Sequence, residues 1–403
     1  MSGPAISSNV WRMYPNQEKE LGASKLPDIG TTIFTVMSQL AAETGAINLS
    51  QGFPSFDPPT ALLERITWHL NNGVNQYAPM AGVPALRNAI ASKTLRLQNR
   101  KVDTDTEITV CSGATEGIFS AVQALVRHGD EVIIFDPAYD SYEPSVTLAG
   151  GITRHNPLLI NDDGGFSIDW KLLEDTINTS TRLIILNFPH NPTGAILQDE
   201  DLNRLAELLR DTDCYLLSDE VYEHIVFDGE QHRSLLRHNE LWPRTMVVSS
   251  FGKTFHATGW KIGYCIAPAL LTKEFRKVHQ FVTFAINTPI QHAIADFLVS
   301  SPEFYEDLAA FYQEKRDYFC RKLEPSRFTF EPANSTFFQI LNYTEISQEL
   351  DVDLAVRWTH ECGVASIPLS VFCEAPFTGP RLRFCFAKDN SILDAAAEKL
   401  CAL

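Results

Sequence analysis

The sequence predicts an α/β protein with a mostly parallel sheet sandwiched by helices, joined to a smaller α+β domain. From about residue 107, short β-rich runs that are apolar on both faces alternate with amphipathic helical stretches, which is typical of a buried parallel sheet. From about residue 302 the helical periods lengthen, and a few strand-like runs remain near 337–342 and 381–387. The 403 residues are enough for two or three domains.

The sheet is predicted from six β-rich runs, and the helices between them from apolar residues at helical spacing. The runs lie at 108–111, 131–135, 183–186, 215–217, 246–249 and 262–266, with amphipathic stretches at 114–127 and 199–209. We predict a large domain at 50–300, a small domain formed by 25–49 and 301–403, and an N-terminal arm at 1–24.

Charge and composition favour small-molecule partners. The 33 Lys and Arg residues against 50 Asp and Glu residues give a net charge of −17, which disfavours binding to nucleic acid or anionic lipid. No run of ~18 apolar residues suggests a membrane span, and the N-terminus lacks the pattern of a signal peptide. The eight cysteines are scattered without a C-x-x-C pair, which predicts reduced thiols and a cytoplasmic location. Without H-E-x-x-H or paired ligands, we predict no metal.

Polar residues follow several of the predicted strands. They lie at 112–116 (Ser-Gly-Ala-Thr-Glu), 187–194 (Asn-Phe-Pro-His-Asn-Pro-Thr-Gly), 218–222 (Ser-Asp-Glu-Val-Tyr) and 249–254 (Ser-Ser-Phe-Gly-Lys-Thr). The carboxyl ends of strands form the ligand-binding edge of an open α/β sheet. An isolated Lys253 would be interpreted as a surface residue. Together with the polar groups at the other strand ends, Lys253 is a candidate amine for condensation with an aldehyde cofactor.

A nucleotide-binding loop is the alternative from another functional class. Gly252, Lys253 and Thr254 match the end of G-x-x-x-x-G-K-[ST], whose first glycine would stand at position 247. That position is Val247, and the residues before it are typical of a buried strand. The sequence therefore disfavours a P-loop nucleotide hydrolase.

Four runs, one of which overlaps the group at 249–254, carry a resemblance to a known family. They are 47–54 (Ile-Asn-Leu-Ser-Gln-Gly-Phe-Pro), 75–80 (Asn-Gln-Tyr-Ala-Pro-Met), 250–255 (Ser-Phe-Gly-Lys-Thr-Phe) and 383–387 (Arg-Phe-Cys-Phe-Ala). With the strand-end groups, they resemble the fold-type-I, pyridoxal-phosphate-dependent aminotransferases of class I/II, in their methionine and kynurenine branch. The resemblance covers about residue 26 to the end, and it implies pyridoxal 5'-phosphate as the cofactor.

The resemblance implies roles for the groups around the cofactor ring. Lys253 would hold the cofactor as an imine and later move the proton between substrate and cofactor. Asp219 would keep the pyridine nitrogen protonated, with a helix N-cap as its alternative role. Tyr222 and Asn191 would hydrogen-bond the phenolic oxygen, and Tyr139 would stack on the ring unless it is a core residue.

The same resemblance implies a phosphate site. Gly113, Ala114 and Thr115 would offer backbone N–H groups at the start of a helix. Ser250 and Lys261 would add side-chain donors, although the family often has Arg at the second place, where Lys lacks the bidentate fork. The bonds before Pro137 and Pro192 are candidates for the cis form.

The substrate side is the last part of the implied site. Arg381 and Arg383 lie on the same face of a strand, so alternation does not choose between them, whereas the family pattern selects Arg383 for the substrate carboxylate. Gly52 would leave room for the substrate, which Asn191 would also contact. Tyr77 would reach the cofactor phosphate of a second subunit, which implies a homodimer.

The expected reaction moves the amino group of an L-amino acid to a 2-oxo acid by a ping-pong mechanism. Because no arginine in a matching segment could bind a second carboxylate, and because Phe281 and Phe284 stand where the family supplies pocket residues, we expect methionine to be favoured, then aromatic amino acids or kynurenine. A β-eliminating cysteine-conjugate lyase of the same fold is the closest alternative, and no residue in the sequence decides between the two.

Overall fold

The computed structural model of the chain describes residues 24–27, 29–162, 164–375 and 379–403. The predicted N-terminal arm lies outside the described residues, except for Ser24. The helices are α1 (Ile33–Thr44), α2 (Thr60–Asn71), α3 (Pro84–Gln98), α4 (Gly113–Leu125), α5 (Tyr142–Ala149), α6 (Trp170–Thr176), α7 (Asp199–Leu209), α8 (Phe251–Thr254), α9 (Ala269–Val282), α10 (Thr288–Ser300), α11 (Glu303–Glu306), α12 (Leu308–Leu323), α13 (Asp351–Glu361) and α14 (Asn390–Cys401). The strands are β1 (Ile47–Asn48), β2 (Ile108–Cys111), β3 (Glu131–Asp136), β4 (Ile152–Pro157), β5 (Leu159–Ile160), β6 (Phe166–Ser167), β7 (Thr181–Asn187), β8 (Tyr215–Asp219), β9 (Thr245–Ser250), β10 (Gly263–Ile266), β11 (Phe338–Asn342), β12 (Val364–Ala365), β13 (Ile367–Pro368) and β14 (Arg381–Cys385).

A seven-stranded sheet forms the centre of the molecule. Its strand order is β2-β10-β9-β8-β7-β3-β4, and β10 runs antiparallel to both of its neighbours while the remaining pairs are parallel. The predicted α/β class is therefore confirmed, and each of the six predicted runs is a strand of this sheet. Strand β4 was not predicted, because this edge strand alternates exposed and partly buried residues instead of being apolar on both faces.

Both faces of the sheet are covered by helices, as predicted. Neighbouring residues of β8 belong to different apolar clusters, Leu216 to one and Leu217 to the other, as the alternation of side chains along a strand requires. The first cluster includes residues of α3, α7 and α10, and the second includes residues of α4, α5 and α9. Ligand-binding groups are therefore confined to the ends of the strands.

A second, antiparallel sheet of order β11-β14-β13 lies in a third apolar cluster. Helices α1, α12, α13 and α14 contribute Met37, Phe319, Leu354 and Leu393 to that cluster. Its strand β14 carries Arg383, which is fully buried. Within the part of the chain that the structure describes, no helix has the length and apolar character needed to cross a bilayer.

Candidate active site

A cavity of about 160 Å³ lies at the carboxyl ends of β7, β8 and β9, beside the start of α4. Its lining consists of Gly113, Ala114, Thr115, Ile118, Tyr139, Asn187, Asn191, Asp219, Val221, Tyr222, Ser250, Lys253, Thr258 and Lys261. Every predicted site residue belongs to this lining except Gly52, Tyr77 and Arg383. A larger cavity of about 440 Å³ lies between the β5–β6 hairpin and residues 329–342, but its lining includes none of the predicted site residues.

Lys253 extends from the short helix α8, which follows β9 directly. Ser250 starts this helix, because its Oγ accepts a hydrogen bond from the Gly252 N–H at 3.2 Å. The Lys253 Nζ donates to the Gly52 carbonyl at 2.8 Å and lies 5.5 Å from the centre of the Tyr222 ring. Burial lowers the pKa of Lys253 from 10.5 to about 8. The positive charge of Arg383 also lowers this pKa, because it disfavours a second cation nearby. The amine is therefore available as a nucleophile near neutral pH.

Asp219 ends β8 and is buried against the cavity. Its Oδ2 accepts a hydrogen bond from the Tyr142 hydroxyl at 2.8 Å, and its Oδ1 accepts one from the Val221 N–H at 3.3 Å. Asn187 donates to the main-chain carbonyl of Asp219 at 3.0 Å. Burial raises the pKa of Asp219 from 3.8 to about 6, and the two hydrogen bonds to the carboxylate oppose that rise. A positively charged ligand atom beside this carboxyl group would favour its ionised form.

The start of α4 has the features of an anion site. Gly113 has a φ of +71°, and a Cβ on it would lie 3.4 Å from Lys261 Cε. No side chain caps this helix, and the first N–H groups of a helix have no acceptor within the helix. The Lys261 Nζ lies 3.5 Å from the Thr115 hydroxyl, and Ser250 lines the same cavity. These donors suit a phosphate group.

The aromatic and amide groups complete the cavity. Tyr139 packs edge-on against Tyr142, with 5.6 Å between the ring centres, and Tyr222 packs edge-on against Phe337 at 5.2 Å. Burial raises the pKa of Tyr139 and of Tyr222. The peptide bonds before Pro137 and Pro192 are cis, as predicted, and the bond before Pro189 is a third cis bond that the sequence analysis did not identify.

Arg383 lies beside the cavity with an incomplete set of partners. Its Nη1 donates to Asn191 Oδ1 at 2.8 Å and its Nη2 to the Ser50 carbonyl at 2.9 Å, while Nε is buried without a partner. The Phe338 ring centre is 4.0 Å from its Cζ. Burial lowers the pKa of Arg383 to about 10, and the guanidinium forms no salt bridge with any described residue. A buried cation of this kind is prepared for an anionic ligand.

The structure separates the two arginines of β14 that the sequence could not distinguish. Arg383 contacts Asn191, which lines the candidate site, whereas Arg381 lines the larger cavity. Gly52 also lies at the site, since its carbonyl accepts the hydrogen bond from Lys253 Nζ, and a Cβ on it would come within 2.8 Å of Phe338 Cζ. Tyr77 is 84% exposed and contacts Phe284 instead of the cavity, so its role toward a second subunit stays a prediction.

Tyr142, Asn187 and Ser50 were given no individual role from the sequence, although Asn187 and Ser50 lie in segments that were assigned to the site. Asn187 had a usable signal, because it ends an apolar strand at the ligand-binding edge. Tyr142 and Ser50 act through a hydroxyl group and a main-chain carbonyl that tertiary structure brings to Asp219 and Arg383.

Comparisons with known proteins agree with this arrangement. A model of the family "Aminotransferase class I and II" matches residues 44–400. Methionine aminotransferase from Escherichia coli (strain K12) is 51% identical over 377 residues, covering 94% of this chain and 97% of that protein. Human kynurenine–oxoglutarate transaminase 3 is 34% identical over 408 residues, covering 94% of this chain and 90% of that protein. The solved structure of Escherichia coli YbdL, described with a methionine aminotransferase function, has a TM-score of 0.93 at 50% identity, covering 95% of this chain and 100% of that one.

Proposed function

The chain belongs to the class I and II aminotransferases, and we propose that it binds pyridoxal 5'-phosphate through Lys253 and transfers the amino group of methionine to a 2-oxo acid. Aromatic amino acids and kynurenine are proposed as slower donors. The observation that carries the proposal is the shared cavity of Lys253, Asp219 and Tyr222, joined to the buried Arg383 through Asn191.

The residues at the cavity fit this cofactor. When bound, pyridoxal phosphate supplies an aldehyde that takes up the amino group and a ring that accepts electrons from the substrate. The start of α4, Ser250 and Lys261 would bind the phosphate, and Asp219 would pair with the ring nitrogen. Tyr139 would lie against the ring face, and Tyr222 and Asn191 would donate to its phenolic oxygen.

Lys253 acts first as a nucleophile and then as a base and an acid. With a pKa of about 8, about a quarter of the amine is neutral at pH 7.5, against about one part in a thousand at the ordinary value of 10.5. After a substrate amine has displaced it, the freed amine can take the proton from the substrate α-carbon and return it to the cofactor side.

Arg383 binds the substrate carboxylate and fixes the orientation of the α-carbon. Its unpartnered Nε and its planar fork suit two parallel hydrogen bonds to a carboxylate. Phe338, Phe34 and Phe372 lie with ring centres 4.0, 5.3 and 5.7 Å from its Cζ. These rings exclude water from the ion pair and so strengthen it.

The aromatic rings beside Arg383 and the composition of the cavity lining support methionine as the donor. No arginine occurs among the described residues that line the cavity, so a second carboxylate finds no bidentate partner there. Each buried methylene contributes about 0.8 kcal/mol, which favours a thioether or aromatic side chain over a charged one. We expect methionine to exceed aspartate in kcat/KM by at least about tenfold, or about 1.4 kcal/mol. The names of the E. coli and human relatives are consistent with such donors.

We also propose a homodimer, a cytoplasmic location and the two domains expected from the sequence. Tyr77, Phe281 and Phe284 are large, exposed aromatic residues, which supports a subunit interface at this surface. The third apolar cluster draws mostly on residues 33–49 and 308–400, which supports a small domain built from both ends of the chain.

Single-turnover reactions test the proposed donor. The cofactor-loaded enzyme is mixed with methionine or aspartate at equal low concentration, and the loss of the visible cofactor band and the keto acid formed are measured. The proposal requires the keto acid of methionine as the product and the faster reaction with methionine. Aspartate reacting as fast as methionine would contradict the donor assignment.

A further inference from the structure

Residues 50–54 form an arch at the substrate side of the site, which we call the substrate arch. The residues that flank it are tied to the end of β14 and to the segment that follows, since the Cys385 N–H donates to the Leu49 carbonyl at 2.8 Å and the Ser55 N–H donates to the Ala387 carbonyl at 3.0 Å. Between these flanking residues, Gly52 packs so closely on Phe338 that a Cβ would lie 2.8 Å from it. A shift of the arch would therefore move the aromatic ring that covers Arg383.

Three cations donate to three of the carbonyl groups of the substrate arch. Arg383 donates to the Ser50 carbonyl at 2.9 Å and Lys253 to the Gly52 carbonyl at 2.8 Å. Lys388 donates from Nζ to the Phe53 carbonyl, also at 2.8 Å. The first two cations have roles in the proposed reaction, whereas Lys388 has none so far.

Lys388 is an unusual residue to bury for packing alone. It is 5% exposed, and its ammonium group forms no salt bridge with the described residues. Its side-chain contacts are the Phe53 carbonyl and the Phe53 ring, whose centre is 4.8 Å from Nζ. A charge-assisted hydrogen bond to a carbonyl is stronger than a neutral one, and the ring adds a cation–π contact. The contact with the arch is therefore the role that the structure offers for this charge.

We propose that Lys388 is a positioning residue that holds the substrate arch after Lys253 has released it. The inference rests on the proposed function in one respect: Lys253 gives up the Gly52 carbonyl when its nitrogen bonds to the cofactor. Arg383 then holds only the beginning of the arch, at Ser50. Lys388 holds Phe53, the residue next to Gly52, and so keeps Gly52 and Phe338 in place for substrate binding.

A double-variant experiment on the cofactor-free protein tests this division of labour. Lys253→Ala, Lys388→Met and the double variant are compared by hydrogen exchange of the Ser50 and Ser55 amides, which are bonded to Asn48 Oδ1 and the Ala387 carbonyl at 3.0 Å each. Each single variant should stay within about threefold of the wild type, because one cation still holds the centre of the arch. The double variant should exchange about tenfold faster or more, as expected for losing both charge-assisted hydrogen bonds to the centre of the arch while Arg383 still holds Ser50.

Two results would overturn the proposal. If the double variant exchanges no faster than Lys253→Ala, Lys388 does not hold the arch. If Lys388→Met alone exchanges as fast as the double variant, its contact is an ordinary structural one that does not depend on Lys253. Should Lys388→Met fail to fold by circular dichroism, Lys388→Gln takes its place.

Steady-state kinetics of the loaded enzyme provide the second readout. Lys388→Met should raise KM for methionine about tenfold and leave kcat within about threefold, since it changes the substrate site and not the reacting groups. The control is Lys322→Met, which removes an exposed lysine paired with Asp394 at 2.8 Å and should leave both constants unchanged. An unchanged KM in Lys388→Met would refute the positioning role. Failure of the proposed function would show separately, as a wild-type protein that forms no bond between Lys253 and pyridoxal phosphate.

Discussion

Asp219→Asn removes a buried carboxyl group from the cavity while keeping its shape. Burial raises the pKa of Asp219 from 3.8 to about 6, so at pH 7.5 the cofactor-free protein holds a carboxylate where its charge is disfavoured. At about 1.36 kcal/mol per pKa unit, the difference between the ordinary pKa of 3.8 and the folded-state pKa of about 6 amounts to about 3 kcal/mol. The cofactor-free Asp219→Asn protein should therefore be more stable than the wild type at pH 7.5 by up to about 3 kcal/mol.

The stability difference should depend on pH with a definite sign. Because the folded-state pKa of Asp219 is the higher one, the folded wild type binds the proton more tightly than the unfolded chain does, and its stability falls as pH rises from about 4 to about 6. The gain from Asp219→Asn is full above pH 6, shrinks to about half at pH 5, and vanishes below pH 3.8. Urea unfolding of both cofactor-free proteins at pH 7.5 and pH 5 measures it.

Turnover should change in the opposite direction. A neutral partner leaves the ring nitrogen of the cofactor without its counter-charge, so we expect kcat to fall by about 10³-fold, as for the loss of a main electrostatic stabiliser. The control Asp175→Asn removes an exposed carboxylate on α6 and should change neither quantity. Near wild-type turnover of Asp219→Asn, or equal stability of the two cofactor-free proteins at pH 7.5, would refute the reasoning.

Three further predictions concern the substrate carboxylate site, the hydrogen bond to Asp219 and the oligomeric state. Arg383→Lys keeps the charge but loses the fork, so kcat/KM for methionine should fall about 100-fold in half-reaction assays; an unchanged value would exclude Arg383 as the carboxylate site. Tyr142→Phe removes the hydrogen bond that stabilises the Asp219 carboxylate, so its pKa should rise and the acid-side loss of cofactor affinity should move to higher pH, whereas an unmoved profile would contradict the contact. Light scattering of the active, loaded enzyme should give the mass of two chains, and a mass of one chain would contradict the role of Tyr77.

The central sheet could be predicted because its strands are apolar on both faces. The edge strand β4 was missed for the same physical reason, since an edge strand is partly solvated and carries polar residues such as Arg154 and His155. Asp219 and Lys253 could be found because each follows from the end of a buried strand. Strand β8 ends at Asp219, and β9 ends shortly before Lys253. The local sequence was sufficient to predict a site residue where that residue lies at the end of a buried strand.

Other parts of the site depend on contacts between distant segments. Alternation along β14 could not separate Arg381 from Arg383, and the difference comes from Asn191, which lies 192 residues away along the chain. The hydroxyl of Tyr142 reaches Asp219 across 77 residues, and Lys388 reaches the carbonyl of Phe53 across 335. No periodicity records such pairs, because their members come together only when distant segments of the chain pack against each other.

Chemical identification of the cofactor-bearing lysine is the decisive test of the role proposed for Lys253. The purified protein is loaded with pyridoxal phosphate, reduced with borohydride and digested, and the labelled peptide is identified by mass spectrometry. One label is expected, on Lys253, and no covalent label is expected in Lys253→Ala. A label on another lysine in the wild type, or a retained covalent label in Lys253→Ala, would contradict that role.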